Sequence, residues 1–258
     1  MVAPATQLRL RDVTVQFGGI KALDEVSFDV ERATICGLIG PNGAGKTTCF
    51  NCISGVYRPR SGAIEFEGRD LLAMRRHEIA NRGVGRTFQN LALFPSMSVV
   101  RNVLVGAHGA TGPGFIASMF NGPAVQRAEL ALRQRVEMLL HRFGLESMAH
   151  APVSTLPFAV QKRVELARAM ASQPSLLILD EPAAGLNHEE VEHLARQIQE
   201  IRDRDQITVL LVEHHMNLVM RVSDKVVVLD FGRKIADGLP QVVRNDPNVI
   251  RAYLGVQE

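Results

Sequence analysis

The chain contains no tryptophan, only two tyrosines and only three cysteines in 258 residues. Cys36, Cys49 and Cys52 are an odd set in a mid-sized protein. They argue against a disulfide framework and for a reducing, cytosolic compartment. Cys49 and Cys52 have CxxC spacing, but no second ligand pair accompanies them and they fall in an expected helix, so they are read as structural. An excess of one charge is also missing: 29 Lys and Arg face 27 Asp and Glu, a formal net charge of +2. The pI is near 8.6 and no dense basic run occurs. Arg75-Arg76 and Lys162-Arg163 are therefore read as solvated helix faces, and nucleic acid is not expected as a partner. No stretch approaches the ~18 apolar residues of a spanning helix, and Met1-Val2-Ala3-Pro4 lacks a basic region followed by an apolar stretch, so a signal peptide is not expected. Any membrane association is expected to come through another protein.

What is present is 46% hydrophobic and 22% charged residues, a composition that suits one large core with or without an inserted lobe. Leu10, Val13, Val15 and Phe17, then Val26, Phe28 and Val30, alternate as in half-buried strands. Thr34 to Ile39 reads as a buried strand, followed by a glycine-rich turn and a helix from Lys46 to Ser54. A short strand spans Ala63 to Phe66 and a helix His77 to Asn81. The Gly/Pro-rich stretch Gly109 to Pro123 reads as a loop between two helical patterns, the second running from Val125 to Phe143 with an apolar face. A helix from Gln161 to Ser172 and strands Leu176–Leu179, Thr208–Val212 and Val226–Leu229 complete an alternation of β and α. That order predicts an α/β fold with a parallel sheet covered by helices.

Two motifs carry chemistry. Gly40-Pro41-Asn42-Gly43-Ala44-Gly45-Lys46-Thr47 fits G-x-x-x-x-G-K-[ST] between a buried strand and a helix. Glycines let backbone N–H groups close around phosphate, and the helix N-terminus adds its positive end. Lys46 is expected to reach the β/γ-phosphates of ATP and Thr47 to ligate Mg²⁺. A dinucleotide site is disfavoured, because the G-x-G-x-x-G spacing is absent. The apolar run Leu176 to Leu179 ends in Asp180-Glu181, at the carboxyl edge where α/β proteins bind ligands. Asp180 is expected on the Mg²⁺ side and Glu181 as the group that polarises the attacking water.

These motifs, with Thr48, with Gln89 in Arg86-Thr87-Phe88-Gln89, with Ala184-Gly185-Leu186-Asn187 and with His214 after Thr208–Val212, resemble the nucleotide-binding domain of ABC transporters across essentially the whole chain. Phe17-Gly18-Gly19-Ile20-Lys21-Ala22-Leu23 and the ending Ile250-Arg251-Ala252-Tyr253-Leu254-Gly255 resemble, more narrowly, the Liv-type ATP-binding subunit of branched-chain amino-acid importers. The resemblance implies a P-loop NTPase core with a mostly parallel sheet, an antiparallel β-subdomain and an inserted α-helical subdomain. The core and β-subdomain would cover about 1–90 and 165–238, the helical subdomain about 91–164, and a helical tail about 239–258. It implies that Phe17 stacks on adenine, although a core phenylalanine is the alternative. It implies that Gln89 touches Mg²⁺ or the attacking water, and that His214 contacts the γ-phosphate. His215 is given no role.

The family's Leu-Ser-Gly-Gly-Gln signature is matched poorly by Leu156-Pro157-Phe158-Ala159-Val160-Gln161. Pro157 removes a hydroxyl and a backbone donor, and Ala159 replaces a glycine at a close phosphate approach. Because each ATP in the family lies between one subunit's phosphate loop and the other's signature, the expectation is a head-to-tail dimer with a different ATPase. Asn187 stands for the usual aspartate of the dimer-contact loop, and Arg101 for a common glutamate. The further expected partners are transmembrane permease subunits and, indirectly, an extracytoplasmic binding protein, with this chain peripheral on the cytoplasmic membrane face. An exporter ATPase of the lipopolysaccharide type, or a mainly regulatory subunit, are the alternatives. A soluble ABC protein of translation or repair is disfavoured, since neither a second nucleotide domain nor a long coiled-coil insertion is present.

Overall fold

The structure, a computed structural model, describes residues 5–87, 91–107 and 123–254. The early alternating segment forms two long antiparallel strands, β1 (Thr6–Phe17) and β2 (Ile20–Glu31). With β4 (Ser61–Phe66) and the two-residue β5 (Arg69–Asp70) they make a four-stranded sheet in the order β2-β1-β4-β5. The second sheet uses β3 (Ile35–Ile39), β6 (Val84–Arg86), β7 (Leu176–Asp180), β8 (Thr208–Val212), β9 (Lys225–Asp230) and β10 (Arg233–Gly238), in the order β10-β9-β3-β8-β7-β6. Its neighbours are parallel except for the β9–β10 hairpin.

The central strands read as unbroken apolar runs because both their faces are covered. Leu176 and Ile178 of β7 face a core shared with the antiparallel sheet and with Phe50 and Ile53 of α1 (Lys46–Ile53). Leu177 and Leu179 face the opposite core. There they meet α3 (Val99–Ala107), α4 (Pro123–Arg142), α5 (Phe158–Ala171) and α6 (His188–Asp205). Short helices α2 (Arg76–Asn81), α7 (Met216–Val222), α8 (Pro240–Arg244) and α9 (Pro247–Leu254) complete the chain. Each fully buried Leu or Ile of these strands contributes roughly 1.5–3 kcal/mol, so the sheet is a rigid base for whatever its strand ends carry.

Three strands escape the sequence pattern, the two-residue β5 among them. β6 is three residues long, and β10 is a half-exposed edge strand of mixed polarity. The helix expected from Gln161 begins three residues earlier, at Phe158, with Pro157 as its N-cap. Gln89, with its neighbours Phe88 and Asn90, lies outside the described residues, as do Gly109–Gly122 and the N-terminal Met1–Pro4. Among the described residues no helix is long and apolar enough to cross a membrane. All three cysteines are buried free thiols. Burial pushes Cys36 and Cys52 up to about 12, and Cys49 in the same direction.

Candidate nucleotide-binding and hydrolysis site

The strand order decides what meets. β3, β8, β7 and β6 are adjacent and parallel, so the segments leaving their carboxyl ends lie side by side at intervals of about 4.8 Å. Those segments are Gly40–Thr48 after β3, Glu213–His215 after β8, Glu181–Asn187 after β7 and Thr87 after β6. Residues as far apart in sequence as Gly40 and His215 therefore share one edge.

The glycine-rich loop Gly40–Thr48 is shaped by backbone that only glycine supplies. Gly40 has φ +153, and a Cβ there would lie 2.1 Å from the Leu229 carbonyl oxygen. Gly45 has φ +101 as the N-cap of α1, and a Cβ there would lie 2.5 Å from the Ala22 oxygen. α1 has no side-chain cap, so the N–H groups of its first turn, at Lys46, Thr47 and Thr48, have no acceptor within the helix. Backbone donors left over in this way suit an anion. Lys46 is buried, and its ammonium donates to the Gly40 carbonyl at 2.7 Å and the Pro41 carbonyl at 2.9 Å. Burial lowers the Lys46 pKa, while the charges of Glu181 and Asp180 pull it back up. Thr47 is exposed and Thr48 half-buried, while Asn42 and Gly43 stand in solvent and Ala44 is buried.

Asp180, the last residue of β7, is 2% exposed. Its Oδ2 accepts from Arg86 of β6 at 3.1 Å, and its Oδ1 is buried without a hydrogen-bond partner. Burial raises the Asp180 pKa, and Arg86 opposes that rise. Arg86 also donates to Asn51 Oδ1 at 3.0 Å and Ser54 Oγ at 2.6 Å, joining α1 to the acidic strand end. Next in the chain, Glu181 is held at φ +47, a left-handed conformation that costs a side-chain-bearing residue of order 1–3 kcal/mol. Its N–H donates to the Val212 carbonyl at 2.9 Å, which holds it there. Its Oε1 lies 3.7 Å from His214 Nδ1. His214 is half-exposed and stacks on His215 with ring centroids 5.0 Å apart.

Three residues that contact these groups were given no role by the sequence: Arg86, Tyr57 and Glu213. Tyr57 meets the ring of Phe17 edge-on, with centroids 5.2 Å apart. Phe17 is 49% exposed at the end of β1, which excludes the core-phenylalanine alternative. Glu213 is fully buried beside the two histidines and has no pattern that sets it apart from a strand end.

The signature segment lies at the start of α5. Pro157 is exposed, and Phe158 lies against Gly185, where an added Cβ would come within 2.9 Å of its ring. Ala159 is half-buried and Val160 belongs to the core. Gln161 folds back, its Nε2 donating to the Leu156 carbonyl at 2.8 Å. As N-cap, Pro157 lies before the helical donors, so its missing N–H does not subtract from the first turn of α5. Asn187 caps α6, accepting from the Glu190 N–H while Glu190 accepts from the Asn187 N–H, a reciprocal capping box. Arg101 is exposed on α3.

Comparison with known proteins gives the family. Residues 23–184 match the ABC transporter family, and residues 233–258 match the family described as branched-chain amino acid ATP-binding cassette transporter. The chain is 43% identical to the high-affinity branched-chain amino acid transport ATP-binding protein BraF of Pseudomonas aeruginosa, over 96% of this chain and 97% of that protein. It is 42% identical, with the same coverage, to the corresponding protein LivG of Escherichia coli K12. Among solved structures, the ADP conformation of MJ1267, an ATP-binding cassette of an ABC transporter, superposes with a TM-score of 0.83 at 29% identity, covering 97% of this chain and 99% of that one. With a glycine-rich loop, an acidic strand end and a histidine gathered at one sheet edge, and with these matches over nearly its whole length, this chain belongs to the ABC transporter family, as an ATP-binding subunit of its branched-chain amino-acid group.

Proposed function

We propose that this chain binds and hydrolyses ATP to drive import of branched-chain or related amino acids through permease subunits that it contacts from the cytoplasmic face of the membrane. The observation that carries the hydrolytic reading is the meeting of Lys46, Asp180, Glu181 and His214 at one edge of the parallel sheet. The importer reading is supported by the similarity to BraF and LivG over nearly the full length of each chain.

In this reading the loop Gly40–Thr48 wraps the phosphates of ATP with backbone N–H groups, and Phe17 offers its exposed ring to adenine. Lys46 leaves its loop carbonyls to meet the β- and γ-phosphates, a displacement a flexible ammonium makes at little cost. Thr47 and Asp180 fit Mg²⁺, a hard cation that takes oxygen ligands; the partnerless buried Oδ1 of Asp180 is the acceptor such a ligand leaves over. Gln89 is assigned to the same ion or to the water. Held by these residues, the ion would supply positive charge to offset that on the transferring phosphoryl group. Glu181 orients a water and accepts its proton as the P–O bond to ADP breaks, releasing ADP and inorganic phosphate. His214 steadies the γ-phosphate.

Arg101 is placed among the contacts to the permease, and an extracytoplasmic binding protein would act indirectly, through the permease. Pro157 and Ala159 favour a head-to-tail dimer with a second, different ATPase subunit, which would complete the Lys46 site with its own signature. Full ATPase turnover by this chain alone would refute that pairing. For the motor itself the test is Glu181→Gln in the assembled transporter: general-base loss should lower ATP turnover by about 10²-fold or more, with ATP still bound. Amino-acid uptake that survives the substitution would instead identify a regulatory subunit.

A further inference from the structure

We propose that Glu213 is a positioning residue for hydrolysis, its carboxylate clamping the loop that carries His214 to the segment that follows Glu181. The proposal rests on the reading of Glu181 and His214 given above. Glu213 is the first residue after β8 and is 0% exposed. Its Oε1 accepts the Ala183 N–H at 2.7 Å, while its Oε2 accepts the N–H groups of His214 at 3.2 Å and His215 at 3.4 Å. One rung earlier, the Glu181 N–H donates to the Val212 carbonyl at 2.9 Å. The pairing of β7 with β8, which ends in register at Asp180 and Val212, is thus carried past both strand ends. A main-chain bond makes the first rung and a carboxylate makes the second. The result holds Glu181 and His214 side by side, 3.7 Å apart.

A carboxylate is costly to bury unless hydrogen bonds replace its water. Three backbone donors do so here. An apolar side chain would fill the same space without that cost, but it could not bond both loops at once. Only an acceptor with two oxygens spans Ala183 on one side and the two histidines on the other. Glutamine keeps the shape and loses the function, because its amide N–H₂ must face a backbone N–H group.

The experiment compares wild type, Glu213→Gln, His214→Ala and the double variant in the assembled transporter. Glu213→Gln is expected to lower kcat by about tenfold or more, the loss of charge-assisted hydrogen bonds. KM for ATP and affinity for ADP should stay within about twofold, since the phosphate loop is untouched. In the His214→Ala background the same substitution should cost less than about twofold. Amide hydrogen exchange on the ADP-bound chain is the second measurement: Ala183, His214 and His215 should exchange faster in Glu213→Gln, and α1 should not. An unchanged kcat, a full multiplicative loss in the double variant, or faster exchange spread over the whole sheet overturns the proposal. Wild-type turnover by Glu181→Gln and His214→Ala would overturn the underlying assignment instead.

Discussion

Arg86→Met separates the electrostatic role of Arg86 from its packing role. The Arg86 and Asp180 side chains are 12% and 3% exposed, so solvent screens their interaction little. Removing the cation leaves a buried carboxylate whose other oxygen already lacks a partner. Breaking a buried pair in this way costs about 3–5 kcal/mol, which for a chain of this size lowers the melting temperature by about 10 °C. The pH dependence follows from Asp180, whose pKa burial already raises. A carboxyl with a folded pKa above its unfolded value contributes stability that is fully present below the unfolded pKa and lost as pH rises through the folded one. Without Arg86 the folded value climbs further. The deficit of Arg86→Met is therefore largest at neutral and alkaline pH, and it shrinks as pH falls toward the ordinary carboxylate range near ~3.9. Thermal unfolding of the nucleotide-free chain across that range is the assay. Arg86→Met/Asp180→Leu, which removes both charges, should recover more than half of the loss. A deficit that is constant with pH, or a double variant no more stable than the single one, would refute the electrostatic account and leave packing as the cause.

Phe17→Ala should weaken ATP binding by about five- to 100-fold, the usual worth of a base on an aromatic ring, while Phe17→Trp keeps it; equal affinities in a fluorescent-nucleotide titration would remove Phe17 from the site. Gly45→Ala combines φ +101 with a Cβ 2.5 Å from the Ala22 oxygen, whereas Gly43→Ala has φ +80 and no atom within 4 Å. The second should therefore cost only the left-handed strain of about 1–2 kcal/mol and the first clearly more, a ranking that urea unfolding can reverse. The buried cysteines, with Cys36 and Cys52 pushed up to about 12, should resist alkylation at pH 8 in the native protein and react once it is unfolded. Rapid labelling of Cys49 and Cys52 in the folded chain would reopen a redox role for the pair.

The parts of this site that could be read in sequence are those in which local chemistry and local backbone coincide. Gly40, Gly45 and Lys46 stand out because the loop's shape depends on glycine at particular positions and its charge on one lysine. Asp180 and Glu181 declare a strand end because two acids follow four apolar residues. Arg86 gave no such sign. Its strand is three residues long, too short for a period to show, and its partners Asn51, Ser54 and Asp180 come from two other elements. Glu213 is hidden for a related reason: in sequence it is one more residue after Val212, and only the parallel pairing with β7 brings Ala183 to it.

The signature segment shows how a local rule changes its meaning with position. Proline removes a donor wherever it stands, but the damage depends on whether that donor was in use. Inside a helix it would cost a hydrogen bond and a clash. At the N-cap of α5 neither applies: Pro157 takes φ −55 and ψ 149, and its carbonyl accepts the N–H groups of Val160 and Gln161. The donors of Phe158 and Ala159 remain at the head of a 14-residue helix, with the positive end of its dipole behind them. What the segment lacks is narrower than its sequence suggests: a capping hydroxyl, and the close approach that a glycine at 159 would permit. An anion offered by a partner subunit would therefore meet a weakened site that still attracts it, and the two ATP sites of such a dimer would differ in degree rather than in kind.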